Sequence, residues 1–336
     1  MNLRNISLSI LAAVTLVSCR SNPSSPTTTP TGTWGYSSSG TSNNLIIGQF
    51  LNSSVGFAAG ITGVIVKTTD DGNTWTNEGN APVFSGSMTG SIYGISFLNS
   101  TTGFVAGDQR DISKTTDGGQ SWAQLDASAI DQTELIRSVA FTTANTGYIG
   151  TTDAYAAPSG SIYQTLDGGM TWNTVFSANG GIYTIDFAPG SHNGVALGRF
   201  GVAYWTSDGG NTWNAGTSDQ PNGIIYRATF TSATTGFAAA QSLDDNVHGY
   251  ILRTDDAGHT WKTIQTVNEA LGGIDNNGNG TITAAGYGGM IVESTDGGTT
   301  WANSTAGSGR WIDVRYADQH NALLFGENGN IAHRTE

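Results

Sequence analysis

Residues Thr115–Trp122 read TTDGGQSW, and five other stretches repeat the phrase with small changes. They are Thr68–Trp75 (TTDDGNTW), Thr165–Trp172 (TLDGGMTW), Thr206–Trp213 (TSDGGNTW), Thr254–Trp261 (TDDAGHTW) and Ser294–Trp301 (STDGGTTW). The shared form, S/T-x-D-x-G-x-S/T-W, reads as a turn between two strands. Its Asp (Asp70, Asp117, Asp167, Asp208, Asp256 and Asp296) can accept hydrogen bonds from backbone amides of the turn. Its Gly supplies a positive φ, its hydroxyl ties the strands together, and its indole lies over the hairpin against the next repeat. Six boxes built this way have a structural role first.

The box tryptophans lie about 40 to 50 residues apart, the period of a propeller blade. Each repeat has the same grammar. An apolar strand ending in an aromatic residue comes first, as in Ile92–Phe97 (IYGISF), Ile136–Phe141 (IRSVAF), Ile182–Phe187 (IYTIDF) and Ile225–Phe230 (IYRATF). A second strand opens with Gly and an aromatic residue, as in Gly56-Phe57 and Gly103-Phe104. The third precedes the box (Val64–Lys67, Met290–Glu293) and the fourth begins at the box tryptophan. Four short hairpin-linked strands per repeat make one blade.

Counting strands gives seven blades, the first from Leu45 to about Asn77 and the sixth from about Leu271 to Asn303. The remainder supplies only three strands, Trp311–Tyr316, Ala322–Phe325 and Asn330–Arg334. Aligning NIAHRTE (Asn330–Glu336) on MIVESTD (Met290–Asp296) puts Glu336 at the box Asp, while Thr33-Trp34 aligns on Thr300-Trp301. The seventh box is therefore split between the termini, and the segment from Thr33 completes the last blade. Such closure removes open sheet edges. The expected fold is all-β: a single seven-bladed propeller over 33–336, four antiparallel strands per blade, closed by the N-terminal strand.

Ahead of it, residues 1–18 read as an export signal: Arg4, an apolar run from Ile6 to Val17 too short to span a bilayer, then small residues. The run ends Leu16-Val17-Ser18-Cys19, which resembles the lipobox of bacterial lipoproteins and implies acylation of Cys19. Cys19 is the sole cysteine, so no disulfide within the chain is possible. Residues 19–32, rich in Ser, Thr and Pro, form a solvated tether. The expectation is an exported, monomeric lipoprotein of the cell envelope, held at a membrane by its lipid. The absence of Asp after the cysteine resembles lipoproteins sent to an outer membrane.

Charged residues make up only 12% of the chain and the net charge is −13. Eight of the acids lie inside the boxes, so the acidity is mostly architectural. With no basic stripe to neutralise phosphates, nucleic acid is excluded as a partner. Five scattered histidines give no zinc set. Asp275–Gly280 (DNNGNG) matches the opening of a calcium loop, but Gly286 stands where its twelfth-position acid belongs. No metal or cofactor is expected.

These repeats resemble the BNR/Asp-box β-propellers, and most of all the single-domain seven-bladed proteins grouped with photosystem II assembly factors and with the sortilin N-terminal domain. The resemblance covers Thr33–Glu336 and concerns fold, because function is not carried by the repeat.

With the boxes on the lower face, the opposite face is built by linkers between blades and by loops between second and third strands. Candidate ligand-binding residues converge there. Tyr93, Arg137, Tyr183 and Tyr226 hold the same place early in the innermost strand; Arg310 and Trp311 begin the seventh blade; Arg199 and Tyr287 lie on loops. Aromatic rings with a few Arg around a channel mouth can stack on sugars or clamp a peptide carboxylate. They can equally pack neighbouring strands. Two loops there are enlarged, Thr151–Gly160 and Gln241–Gly249, with Asp153, Tyr155, Asp244, Asp245 and His248.

Two function classes follow. The favoured one is a non-catalytic, lipid-anchored scaffold for a protein partner or an envelope glycan. The alternative is a glycoside hydrolase, since sialidases and xyloglucan-cleaving enzymes contain Asp boxes. Such an enzyme needs two carboxylates across a cleft. Asp108, Asp111, Asp153, Asp244, Asp245 and Glu327 reach the upper face, with no pair singled out. The F/Y-R-I-P motif of sialidases is absent.

Overall fold

The computed structural model of the chain describes residues 32–78, 90–153 and 159–335. The signal segment, Cys19, Tyr155 and Glu336 lie outside the described residues. Seven sheets follow one another around a central channel. Blade I comprises Leu45–Phe50, Gly56–Gly60, Ile65–Thr68 and Thr76–Asn77; blade VI spans Leu271–Asn276 to Ala302–Thr305. Blades II to V repeat the scheme, with innermost strands Ile92–Phe97, Glu134–Phe141, Ile182–Phe187 and Gly223–Phe230. In blade VII the strand order runs from Gly35–Ser38 through Asn330–Thr335 and Asn321–Gly326 to Trp311–Tyr316. Gly35 faces His333 and Ser38 faces Asn330 in antiparallel register, so the N-terminal strand does close the ring. Because it runs against a third strand, the chain enters the propeller on the box face.

Every box adopts the same turn. In blade II, Asp117 Oδ1 accepts from the Thr115 hydroxyl at 2.8 Å and from the Ser121 amide at 2.9 Å. Its other oxygen accepts from the Ser121 hydroxyl at 2.5 Å. The Ser121 hydroxyl and then its amide hold the Asp117 carboxyl down at about 2, and Thr171 does the same for Asp167. Two successive residues are left-handed. Asp71 and Ala257 manage the first position, but the second is Gly in all six boxes. In five of the boxes a Cβ there would also strike a neighbouring side chain, for example 2.2 Å from Leu323 at Gly72 and 2.4 Å from Phe237 at Gly298, whereas at Gly119 it would make only ordinary contact. Glycine is thus favoured by φ in every box and required by packing in all but that one. The fourth strand begins just after the tryptophan in most blades rather than on it, and at Thr260 in blade V.

The core is a stack of interblade layers. Aromatics at the end of the first strand lie flat on aromatics of the preceding blade's second strand, Phe97 on Phe57 at 3.8 Å and Phe141 on Phe104 at 3.5 Å. The box indoles meet them edge-on, as Trp122 meets Phe97. The glycine that opens the second strand in blades I to V makes room for the aromatic ring ending its own blade's first strand; a Cβ on Gly103 would stand 2.4 Å from Phe97.

Ring closure is reinforced by a buried ion pair. Arg334 donates to Glu293 of blade VI at 2.5 Å with both side chains 1% exposed, and Thr283 donates to the same carboxylate oxygen at 2.8 Å. The guanidinium lies 4.8 Å over Trp34 of the N-terminal segment. Two features have no counterpart in the sequence reading. Thr217–Ser218 adds a parallel fifth strand on the outer edge of blade V. Short 3-10 turns link second and third strands in blades I, II, VI and VII.

Candidate functional site

In all seven innermost strands the register with the second strand slips at the same place. The first residue of the apolar run and its successor face a single partner, as Leu45 and Ile46 face Gly60, and Ile92 and Tyr93 face Gly107. The same slip occurs at Ile136/Ser138, Ile182/Thr184, Ile225/Arg227, Leu271/Gly273 and Trp311/Asp313. A bulge leaves one residue unpaired and re-aims its side chain. Here it turns one residue per blade towards the mouth of the channel: Ile46, Tyr93, Arg137, Tyr183, Tyr226, Gly272 and Ile312. All seven are half-buried and all line one cavity of about 210 Å³. The facing residue is Gly in five blades because a Cβ would drive into the carbonyl preceding the inner strand, 1.8 Å away at Gly60, Gly107 and Gly198.

The cup is two-sided. Blades II to V contribute Tyr93, Arg137, Tyr183 and Tyr226, whereas blades VI, VII and I contribute Gly272, Ile312 and Ile46. Tyr287 and Arg310 reach over the second half from their loops. The Arg137 guanidinium lies 4.0 Å over the Tyr93 ring and 5.6 Å from Tyr183, which meets Tyr226 edge-on at 5.7 Å. Its buried Nε has no hydrogen-bond partner, and no carboxylate lies within ion-pair distance among the described residues. Arg310 stacks 4.0 Å over Tyr287 and sits 3.6 Å from Glu327. Cations held flat on rings keep their N–H edges free for a ligand. The Tyr226 hydroxyl donates to Gln241 at 3.0 Å, and burial pushes it up to about 12, so it stays a neutral phenol. Gln241 Nε2 in turn donates to the Asn246 carbonyl, tying the enlarged blade V loop to the cup.

Six of the eight expected ligand residues converge in this way. Trp311 does not. It occupies the core-facing position before the bulge, 2% exposed, and its indole donates to the Ala306 carbonyl at 2.8 Å. Its neighbour Ile312 takes the place in the ring. Arg199 also stays outside the cup, stacked on Phe200 at 4.9 Å.

The upper-face acids are committed locally. Asp108 accepts from the Ser91 amide, and buried Asp111 accepts from the Gln124 side chain. Asp244 accepts from Asn222, and Asp245 accepts from the amides of Val247 and His248 and pairs with the His248 ring. The Val247 amide first, then His248, holds the Asp245 carboxyl far below the usual range. No carboxylate lines the cup among the described residues. Asp275, first residue of the calcium-like stretch, accepts from the Tyr316 amide of blade VII at 2.9 Å. Among the described residues there is no His, Cys, Asp and Glu cluster fit for a metal ion.

Below the cup the channel widens to about 460 Å³ and carries Arg227, Arg315, Asp186 and, behind Arg315, buried Asp313. Arg227 belongs to both cavities. It donates to the Tyr226 and Ile46 carbonyls and lies 3.8 Å from Asp313.

The family model for photosynthesis system II assembly factor YCF48 matches residues 28–186, which take in blades I to III and the inner strand of blade IV. No curated protein matches the chain. Among solved structures, YCF48 bound to D1 peptide superposes with a TM-score of 0.69 at 18% identity, covering 90% of this chain and 97% of that one. YCF48 from Cyanidioschyzon merolae gives 0.66 at 17%, covering 90% and 98%. The GH74 xyloglucanase from Xanthomonas campestris gives 0.68 at 13%, covering 90% of this chain but only 54% of the enzyme. The chain is thus a seven-bladed β-propeller similar to YCF48, and at these identities the structural likeness speaks for fold alone.

Proposed function

We propose that this propeller is a non-catalytic binding scaffold that takes an anionic segment of a protein partner into the cup. The observation that carries this reading is Arg137, a guanidinium without a counter-ion, held between two tyrosines at the mouth of the channel in a chain of net charge −13. A cation so placed is pre-oriented for a carboxylate and gains little by staying empty. The likeness to YCF48 bound to D1 peptide supports a peptide ligand over a sugar. A glycoside hydrolase would need paired carboxylates, which the described cup lining lacks.

Arg137→Glu is expected to abolish capture of the partner from a membrane extract, with affinity lowered at least ~30-fold. The thermal midpoint should move little, because the Arg137 Nε makes no hydrogen bond and the half-buried side chain gives up only its stacking on Tyr93 and Tyr183. Undiminished capture by this variant would refute the reading. Binding to neutral polysaccharide that survives Arg137→Glu would favour the glycan instead.

The lipobox-like run ending at Cys19 supports a lipid anchor that would hold the same scaffold on a membrane. The chain enters the propeller on the box face, so a tether from an acylated Cys19 would leave the cup directed away from the lipid. Cys19→Ala should move the protein from the membrane fraction to the soluble exported fraction and eliminate labelling by a fatty-acid analogue. A labelled Cys19→Ala protein would disprove the assignment.

A further inference from the structure

Below the cup, side chains of the innermost strands stitch neighbouring blades together. Asp313 accepts from the Gly48 amide, Gln49 exchanges bonds with Phe97, Ser96 accepts from Phe141, Ser138 from Ile185, and Asp275 from Tyr316. Between blades IV and V the corresponding residue is Asp186, and it makes no such bond. Among the described residues its carboxylate has no cation within 4 Å and only the amide of Phe187 as donor. The other charged groups of this level are Asp275 from blade VI, Asp313 and Arg315 from blade VII, and Arg227 from blade V. Arg315 donates to Asp313 at 2.9 Å and Arg227 faces its other oxygen. At the level of Asp186, blades I, II and III supply Gln49, Ser96 and Ala140, which do not titrate; Tyr93 and Arg137 line the same cavity from its cup end. At this level three carboxylates therefore share the two guanidiniums of Arg227 and Arg315, with Arg137 higher in the channel at the cup, and one carboxylate is in excess there.

We propose that the lumen holds one exchangeable proton, centred on Asp186, and that this proton couples pH to anion binding in the cup. The inference rests on the cup reading given above. Burial, opposed by Arg315 and aided by Asp275, pushes the Asp186 carboxyl up to about 7, consistent with the charge balance. When the proton leaves, a negative charge appears three residues down the strand from the bulge ring, ~10 Å below the cup. It opposes an incoming anion through Arg227, which borders both cavities. At that distance, with water and salt in the channel, the penalty is about 3- to 10-fold in affinity.

Two measurements on the intact chain test this, using sulfate as the probe because its charge is constant from pH 6 to 8. Carboxyl carbon-13 NMR should show one Asp titrating between pH 6 and 8, a signal lost in Asp186→Asn. Asp275→Asn, which relieves the like charge but not the burial, should move the Asp186 titration to lower pH and serves as the second variant. Sulfate affinity should fall about 3- to 10-fold from pH 6 to 8 in the wild type, stay level in Asp186→Asn, and begin its fall at lower pH in Asp275→Asn. Carboxyls that all titrate below pH 5, or a pH slope retained in Asp186→Asn, would overturn the coupling and leave the cup standing. Sulfate that fails to bind at any pH, or binds Arg137→Gln equally well, would remove the cup reading and the coupling with it.

Discussion

Replacing Arg334 with Met is expected to destabilise the propeller by about 3–5 kcal/mol, read as a lowered midpoint in equilibrium denaturation. Arg334 is the penultimate residue of the last third strand and its guanidinium pairs with Glu293 across the junction of blades VI and VII, with both groups out of water. The variant leaves Glu293 buried with the Thr283 hydroxyl still donating to it but no cation beside it. A buried charge stripped of its partner is far costlier than a surface one, whereas replacing both partners by apolar groups is often neutral. Arg334→Met combined with Glu293→Leu should therefore recover most of the loss. The guanidinium also covers the Trp34 ring, so the single variant should loosen the N-terminal strand first and speed amide exchange at Gly35–Ser38. Equal stability of Arg334→Met and the parent would show that closure depends on the strand ladder alone.

The second large effect concerns pH. The Asp186 carboxyl titrates at about 7 in the folded chain, against an ordinary 3.8, chiefly because of burial. The folded state thus holds a proton that the unfolded chain has already released, and stability must fall as pH rises between about 4 and 7. Above 7 both states are ionised and the slope vanishes. Asp186→Asn cannot ionise and should gain over the parent as pH rises, by ~2–4 kcal/mol at pH 8, the lower figure reflecting water in the lumen. The box aspartates work with the opposite sign. Asp117, Asp167 and Asp296 are held at about 2, so their contribution is complete near neutrality and is lost as pH falls from about 4 towards 2. Unfolding curves at pH 3, 5 and 8 separate the two. A parent no less stable at pH 8 than at pH 5 relative to Asp186→Asn would refute the assignment.

Much of the architecture is legible in residue order, because each box carries its own turn chemistry. Thr115, Asp117, Gly119, Ser121 and Trp122 satisfy one another within eight residues, so blade period, blade count and the split seventh box need no distant information. The cup is legible in part. Tyr93, Arg137, Tyr183 and Tyr226 align because each follows the same buried aliphatic residue by one place. The one-residue slip that turned Trp311 into a candidate arose because its run opens with Trp where the others open with Ile or Leu. The signal that corrects it is the glycine closing the second strand, since Gly60, Gly107, Gly198, Gly286 and Gly326 each mark a bulge opposite.

Local chemistry by itself determined the repeat, the number of blades and which end of the chain completes the ring, for turns and strand alternation depend on near neighbours. Only the tertiary structure decided which ring residues share a cup, that Arg137 lacks a counter-charge, and that Asp186, Asp275, Asp313, Arg227 and Arg315 confront one another in the lumen. Those residues come from blades dozens to hundreds of positions apart, and their charges interact through space across a channel that exists only once the ring is closed.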